Sequence, residues 1–304
     1  MRISKTVVLL ALVPLLVLVT FFDAATLSAA PAATARPPKE STSVQLLIDL
    51  SNTSYKRGEL TNALAYANQA LAKDTNSPSA YYLRARIHED LAQHLKAVED
   101  YSQVLRLDSN ATGVLQRRGE SNFRAGRMED SVSDFDAFLR RVPKQAPEHW
   151  QRGISLYYAK RYDDGRKQFE SHQTVNPSDV ENAVWHFLCV AKLEGVTTAR
   201  KLLIPIREDR RVPMMQIYAL FGGKASVEDV LAAVKVGNPP LVELNNRQFY
   251  AHLYLGLYFE ALGDAVQCKY HMLKAANLPA PHYMGDVARV HAAMILGRDS
   301  NLKK

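Results

Sequence analysis

Gly58-Glu59-Leu60-Thr61-Asn62-Ala63-Leu64, Leu95-Lys96-Ala97-Val98, Met128-Glu129-Asp130-Ser131-Val132 and Tyr162-Asp163-Asp164-Gly165 decide the reading of this chain. Each places a small residue where a helix opens: Ala63, Ala97, Ser131 and Gly165, spaced by 34 residues each time. A second column of small residues lies twelve positions earlier, at Ser51, Ala85, Gly119 and Gly153. A third lies four positions later and is apolar: Ala67, Tyr101, Phe135 and Phe169. Two antiparallel helices approach closely only where the facing side chains are small, and the larger residue fills the gap beyond. Pro143 and Pro177 follow the later second helices and stop them, because proline lacks the amide donor and clashes with the preceding turn. A single helix pair cannot bury its own apolar stripe, so such pairs must stack.

With these columns in place, Arg117-Arg118-Gly119-Glu120-Ser121-Asn122-Phe123-Arg124-Ala125-Gly126-Arg127-Met128 and Trp150-Gln151-Arg152-Gly153-Ile154-Ser155-Leu156-Tyr157-Tyr158 resemble the tetratricopeptide-repeat (TPR) family. The resemblance implies an all-α fold, a right-handed solenoid of antiparallel helix pairs. Four repeats are expected over 44–178 and a degenerate, irregular helical segment over 179–247. A C-terminal repeat with a capping helix is expected over 248–297, the last helix closing the open apolar edge of the stack. Ala199 keeps the register past Gly165, Pro205 and Pro213 interrupt it, and Ser226-Val227-Glu228-Asp229 reads as a capped helix start. Pro239-Pro240 forces a break, and Gly256, Cys268 and Met272 resume the columns.

The N-terminus has Arg2 and Lys5, then an apolar run from Val7 to Phe22, then small residues up to Ala35. That order is that of a secretory signal peptide over 1–35, or of an anchor left in place. Pro37 and Pro38 mark a linker over 36–43. An exported protein of the periplasm or cell envelope is therefore expected. The net charge of +7 is scattered, with no basic block longer than pairs such as Arg117-Arg118, which argues for protein rather than nucleic-acid partners. A membrane is expected to be met only through an uncleaved N-terminal segment.

Arg152 to Tyr158 and Leu255-Gly256-Leu257-Tyr258-Phe259-Glu260-Ala261-Leu262-Gly263-Asp264 are similar to the NlpI-type TPR proteins of bacterial envelopes. That resemblance implies an adaptor that docks proteases and cell-wall hydrolases, often as a homodimer. Such proteins are lipid-anchored, whereas no cysteine follows the apolar run here.

The family exposes the first helix of each pair on a concave face. On that basis the partner-binding groove comprises Asn52, Tyr55 and Lys56; Tyr82, Arg86, Glu89 and Asp90; Gln116, Glu120, Phe123 and Arg124; and Trp150, Ile154, Tyr157 and Tyr158. Tyrosine, tryptophan and arginine dominate interface energies. The family's carboxylate clamp is only partly echoed, by Asn52, because Ile48 stands where the clamp has a lysine.

No nucleophile elbow, Walker loop, dinucleotide fingerprint or HExxH helix occurs, so neither an enzyme nor a cofactor is expected. The alternative is an enzyme or metal site built on the pairs His186–Cys189 and Cys268–His271, which together have the ligand types of a tetrahedral zinc site. Packing of Cys268 in the small-residue column explains it without a metal.

Overall fold

The computed structural model describes residues 43–301. The expected leader over 1–35 and all but the last residue of the linker over 36–43 lie outside them. The described residues form helices joined by turns, with a longer non-helical stretch over 202–213, and contain no strand. Among them no helix is long and apolar enough to cross a membrane.

Four helix pairs come first: α1 (Val44–Lys56) with α2 (Leu60–Lys73), α3 (Pro78–Asp90) with α4 (His94–Leu107), α5 (Thr112–Arg124) with α6 (Met128–Arg141), and α7 (Trp150–Tyr158) with α8 (Tyr162–His172). Small-residue contact holds each pair together. The Cβ that Gly119 lacks would lie 2.6 Å from the Phe135 ring, and that of Gly153 would lie 2.6 Å from the Phe169 ring. Ser51 uses its size differently, donating its hydroxyl to the carbonyl of Ala63 at 2.7 Å. The turn inside each pair has one residue in the left-handed region, again 34 residues apart: Gly58, Ala92, Gly126 and Lys160. Glycine suits that conformation, whereas Ala92 and Lys160 adopt it against the steric preference of a side chain.

A second 34-residue column, not drawn from the sequence, staples neighbouring pairs. Arg84 gives two hydrogen bonds to Asp100 at 2.8 and 2.7 Å and one to Asn68 at 2.8 Å. Arg118 repeats this with Asp134 at 2.9 and 2.6 Å and Ser102 at 3.0 Å. Arg152 reaches Asp136 at 2.6 Å and Gln168 at 3.0 Å. Each guanidinium sits on a first helix and ties together the second helices of its own and the preceding pair. Its planar fork suits this two-sided task.

A fifth pair is degenerate: α9 (Val180–Glu194) is almost wholly buried and α10 (Val196–Lys201) is only six residues long. Ala199 is fully buried in the register expected of it. Then come α11 (Met214–Phe221) and α12 (Val227–Ala233), the latter opening on a complete capping box between Ser226 and Asp229. The pair α13 (Leu241–Leu262) and α14 (Ala265–Ala276) follows Pro240 directly, so its first helix begins seven residues before the expected boundary at 248. Gly256 abuts Met272 in this pair, and Cys268 is buried.

The last helix, α15 (Tyr283–Asn301), corrects one expectation. It packs on α14, as a cap would, but it also crosses to α5 and α7 rather than only closing the end of the stack. Val287, Ala288, Val290 and Ala292 of α15 join the same core as Phe123, Ile154 and Tyr158. Too much of the α5–α7 face is aromatic to remain in water.

Candidate partner-binding face

The first helices α1, α3, α5 and α7 stand side by side, and their outward side chains touch from one repeat to the next. Arg86 lies over the ring of Tyr55, 4.7 Å from its centroid, and donates to its hydroxyl at 3.3 Å. Glu89 is the hub of the next step. It accepts from the Tyr101 hydroxyl at 3.0 Å and from Ser121 at 2.8 Å, and it pairs with Arg124 at 3.4 Å and Arg117 at 3.7 Å. Burial, with Glu89 nearby, pushes the Tyr101 phenol far above its ordinary range, so it remains a donor.

Gln116 donates to Glu120 at 2.9 Å and meets Nε2 of His149 at 2.6 Å. His149 Nδ1 accepts from the backbone amide of Arg152, where α7 begins. Nε2 therefore has the proton and donates to the Gln116 carbonyl. Burial lowers the His149 pKa to about 4, which keeps this arrangement neutral at physiological pH.

The face has two regions. Over the first repeats it is open: Lys56 and Asp90 are exposed, and Asn52, Tyr55, Tyr82, Arg86 and Gln116 are half-buried. A cleft of about 600 Å³ lies among α3, α5 and α15, lined by Glu89, Asp90, Arg117, Arg124, Asp286 and Arg289. Over α5 and α7 the face is covered. Tyr283 of α15 stacks on Phe123 at 5.3 Å between centroids and meets Trp150 edge-on at 5.2 Å. Tyr158 shares a hydrogen bond of 2.9 Å with His291, Tyr157 donates to Glu260 at 2.9 Å, and Arg124 donates to Asp286 at 2.8 Å.

Direct contact of a partner with Phe123, Ile154, Tyr157 or Tyr158 is thus corrected: their exposures are 0%, 1%, 3% and 8%. They serve as the floor beneath α15. Burial raises the Tyr157 and Tyr158 phenols well above their ordinary range, so both act as neutral donors or acceptors. The residues that complete the face but were not expected there are Arg117, Tyr283, Asp286 and His291. Only the Arg84-Arg118-Arg152 column offered a sequence signal for the neighbouring staples.

The alternative cluster does not assemble. Cys189 lies on α9 against Gly165, whose added Cβ would be 2.9 Å from its Sγ, and His186 approaches Glu170 at 3.4 Å. Cys268 lies 3.9 Å from His291, while His271 faces His252 with their Nδ1 atoms 2.9 Å apart. Both cysteines are buried, and burial raises the Cys189 thiol far from thiolate formation. Among the described residues no group of three or more His, Cys, Asp or Glu converges as a metal site.

The tetratricopeptide-repeat family pattern matches residues 48–112 and 82–146. Residues 48–146 are tetratricopeptide repeats. Solved TPR structures share the wider fold. A tetratricopeptide-repeat protein from Parabacteroides merdae is 16% identical, covers 83% of this chain and 98% of its own, and superposes with a TM-score of 0.53. YrrB, described as a TPR protein with an unusual peptide-binding site, is 16% identical, covers 65% of this chain and 95% of its own, and gives a TM-score of 0.50. At such identities the likeness is one of fold, here an α-solenoid. TPR proteins are in general scaffolds for protein–protein interaction rather than enzymes.

Proposed function

We propose that this TPR protein is an exported adaptor that receives an extended segment of a partner protein on the open part of its inner face, along α1, α3 and the exposed edge of α5. The observation that carries this reading is the row of half-buried Tyr55, Tyr82 and Arg86 beside the 600 Å³ cleft. These are the residue types that concentrate binding energy, held by neighbours and still open to water. Mixed charge around the cleft favours a peptide with both signs over a polyanion. The peptide-binding site ascribed to YrrB supports the same mode.

The leader-like N-terminus supports a location in the periplasm or cell envelope, with the membrane met only through that segment if it is retained. On the NlpI-type resemblance, the partners are envelope proteases or cell-wall hydrolases, and the adaptor works as a homodimer. Affinity capture from envelope fractions with quantitative mass spectrometry tests the reading. Tyr82→Ala/Arg86→Ala should reduce recovery of the specific partners at least tenfold, since each anchor of this kind is worth about 1–2 kcal/mol or more. Undiminished recovery with the double variant refutes the inner face as the docking surface.

A further inference from the structure

A second cavity lies beneath the first turn of α15, between α7, α9 and α13, with a volume of about 440 Å³. Its walls include the aromatic side chains of Trp150, Trp185, Tyr250 and Tyr283. Glu148, Asp179 and Glu181 also line it, and Arg211 is the one arginine or lysine among the lining residues. Arg211 is already shared among Asp179 at 2.7 Å, Glu181, and Asp209 at 2.6 Å behind them. Carboxylates therefore outnumber the guanidinium by three to one before Glu148 is added. Burial raises the Glu181 carboxyl pKa even with Arg211 beside it. Burial also lowers His282 at the rim, so it adds no cation at neutral pH.

Three polar atoms of lining residues, Asn182 Oδ1, Trp185 Nε1 and the Tyr283 hydroxyl, have no hydrogen-bond partner. Asn182 Oδ1 accepts nothing and Trp185 Nε1 donates to nothing, and the two residues are 3% and 2% exposed. Unpartnered buried polar groups are costly, and these atoms lie in the walls of the cavity, themselves sealed from water.

We propose that this cavity binds an arginine side chain of a partner peptide. The guanidinium supplies five donors and a positive charge, and it stacks on aromatic faces. A cavity of this size accommodates the side chain with adjoining backbone. The proposal rests on the adaptor reading for the origin of the ligand, but its test does not depend on any captured partner.

Trp150 and Trp185 are the two tryptophans of the chain, so intrinsic fluorescence reports on this cavity directly. The full chain is titrated with N-acetyl-arginine amide and, separately, with the neutral isostere N-acetyl-citrulline amide. A saturable change is expected with the arginine compound, at least tenfold tighter than with citrulline. Glu148→Gln, at an exposed rim position, should weaken the arginine titration at least threefold with the melting temperature unchanged. Trp150→Leu should abolish it, judged against a circular dichroism spectrum that remains helical. Linear, unsaturable responses of equal size for both compounds overturn the proposal, as does an arginine titration indifferent to Glu148→Gln. Loss of partner capture by Tyr82→Ala/Arg86→Ala with no arginine titration would retain the adaptor reading and remove this cavity from it.

Discussion

Replacing Gly119 by alanine sets two effects against each other in the middle of α5. In an open helix the exchange favours folding by about 1 kcal/mol, because glycine has more backbone freedom to lose. Here the new Cβ would meet Phe135 Cε1 at 2.6 Å and Cδ1 at 2.7 Å. Ordinary carbon contacts lie at about 3.5–4 Å, so roughly an ångström of movement is needed. The ring has nowhere easy to go: Phe135 is fully buried and lies 4.7 Å from the His149 ring, which fixes the start of α7. Overpacking of this kind costs about 1–3 kcal/mol. The clash cancels or outweighs the helix gain, leaving a net loss of up to about 2 kcal/mol. For a chain of this size that lowers the thermal midpoint by about 2–4 °C per kcal/mol. The assay is thermal and urea unfolding followed by circular dichroism at 222 nm. Gly113→Ala is the control: it lies in the same helix and its Cβ would meet nothing within 4 Å. It should leave stability equal or higher. Phe135→Leu added to Gly119→Ala should lose less than the sum of the two single variants, since the smaller side chain relieves the collision. A Gly119→Ala protein more stable than the parent, showing the helix gain without the clash, would refute the close approach of α5 and α6 on which the repeat reading depends.

Other outcomes follow from the same packing. Lys160→Gly should stabilise the fourth repeat by about 1 kcal/mol, because Lys160 holds a left-handed turn that glycine adopts freely; a lower melting temperature would contradict this. Arg118→Ala should cost about 3 kcal/mol by stranding the buried Asp134, and Arg118→Met/Asp134→Leu should recover much of the loss, both read from urea midpoints. Stability should fall by about 2 kcal/mol between pH 7 and pH 5 through His149, whose folded pKa of about 4 lies below the unfolded value of about 6.5. The unfolded chain binds the proton first, so the contribution is complete above about pH 6.5 and is lost as pH falls toward 4. His149→Asn should flatten that part of the stability profile.

The repeat architecture was legible because its signal is local and periodic. Gly119 with Phe135, Gly153 with Phe169, and Gly256 with Met272 meet across a fixed interval of sixteen residues, so a column of small residues and a column of large ones suffice. Ser226 and Asp229 were legible for the same reason, a cap spanning three residues. The arginine staples were harder to see, although Arg84, Arg118 and Arg152 are spaced by 34. Their partners sit on two different second helices and change identity from Asp100 and Asn68 to Asp136 and Gln168.

The placement of α15 was not legible at all. Arg124 meets Asp286 across 162 residues, and no periodicity connects them. The sequence of α15 gives little direction either, because it buries residues at adjacent positions, Val287 and Ala288 and then Val290, His291 and Ala292, and so lacks one apolar stripe. Aromatic side chains on a first helix read as a binding groove whether a partner or the chain's own last helix covers them. Only the three-dimensional structure separates Tyr82, which stays accessible, from Phe123 and Tyr158, which do not.

Hydroxyl-radical footprinting of the intact protein, with modification rates read residue by residue by mass spectrometry, tests this division of the inner face most directly. Tyr55 and Tyr82 should be modified readily, and Phe123, Tyr157 and Tyr158 should be strongly protected beneath α15 and α13. Modification of Phe123 and Tyr158 as fast as Tyr82 would show the whole inner face open and would contradict the account.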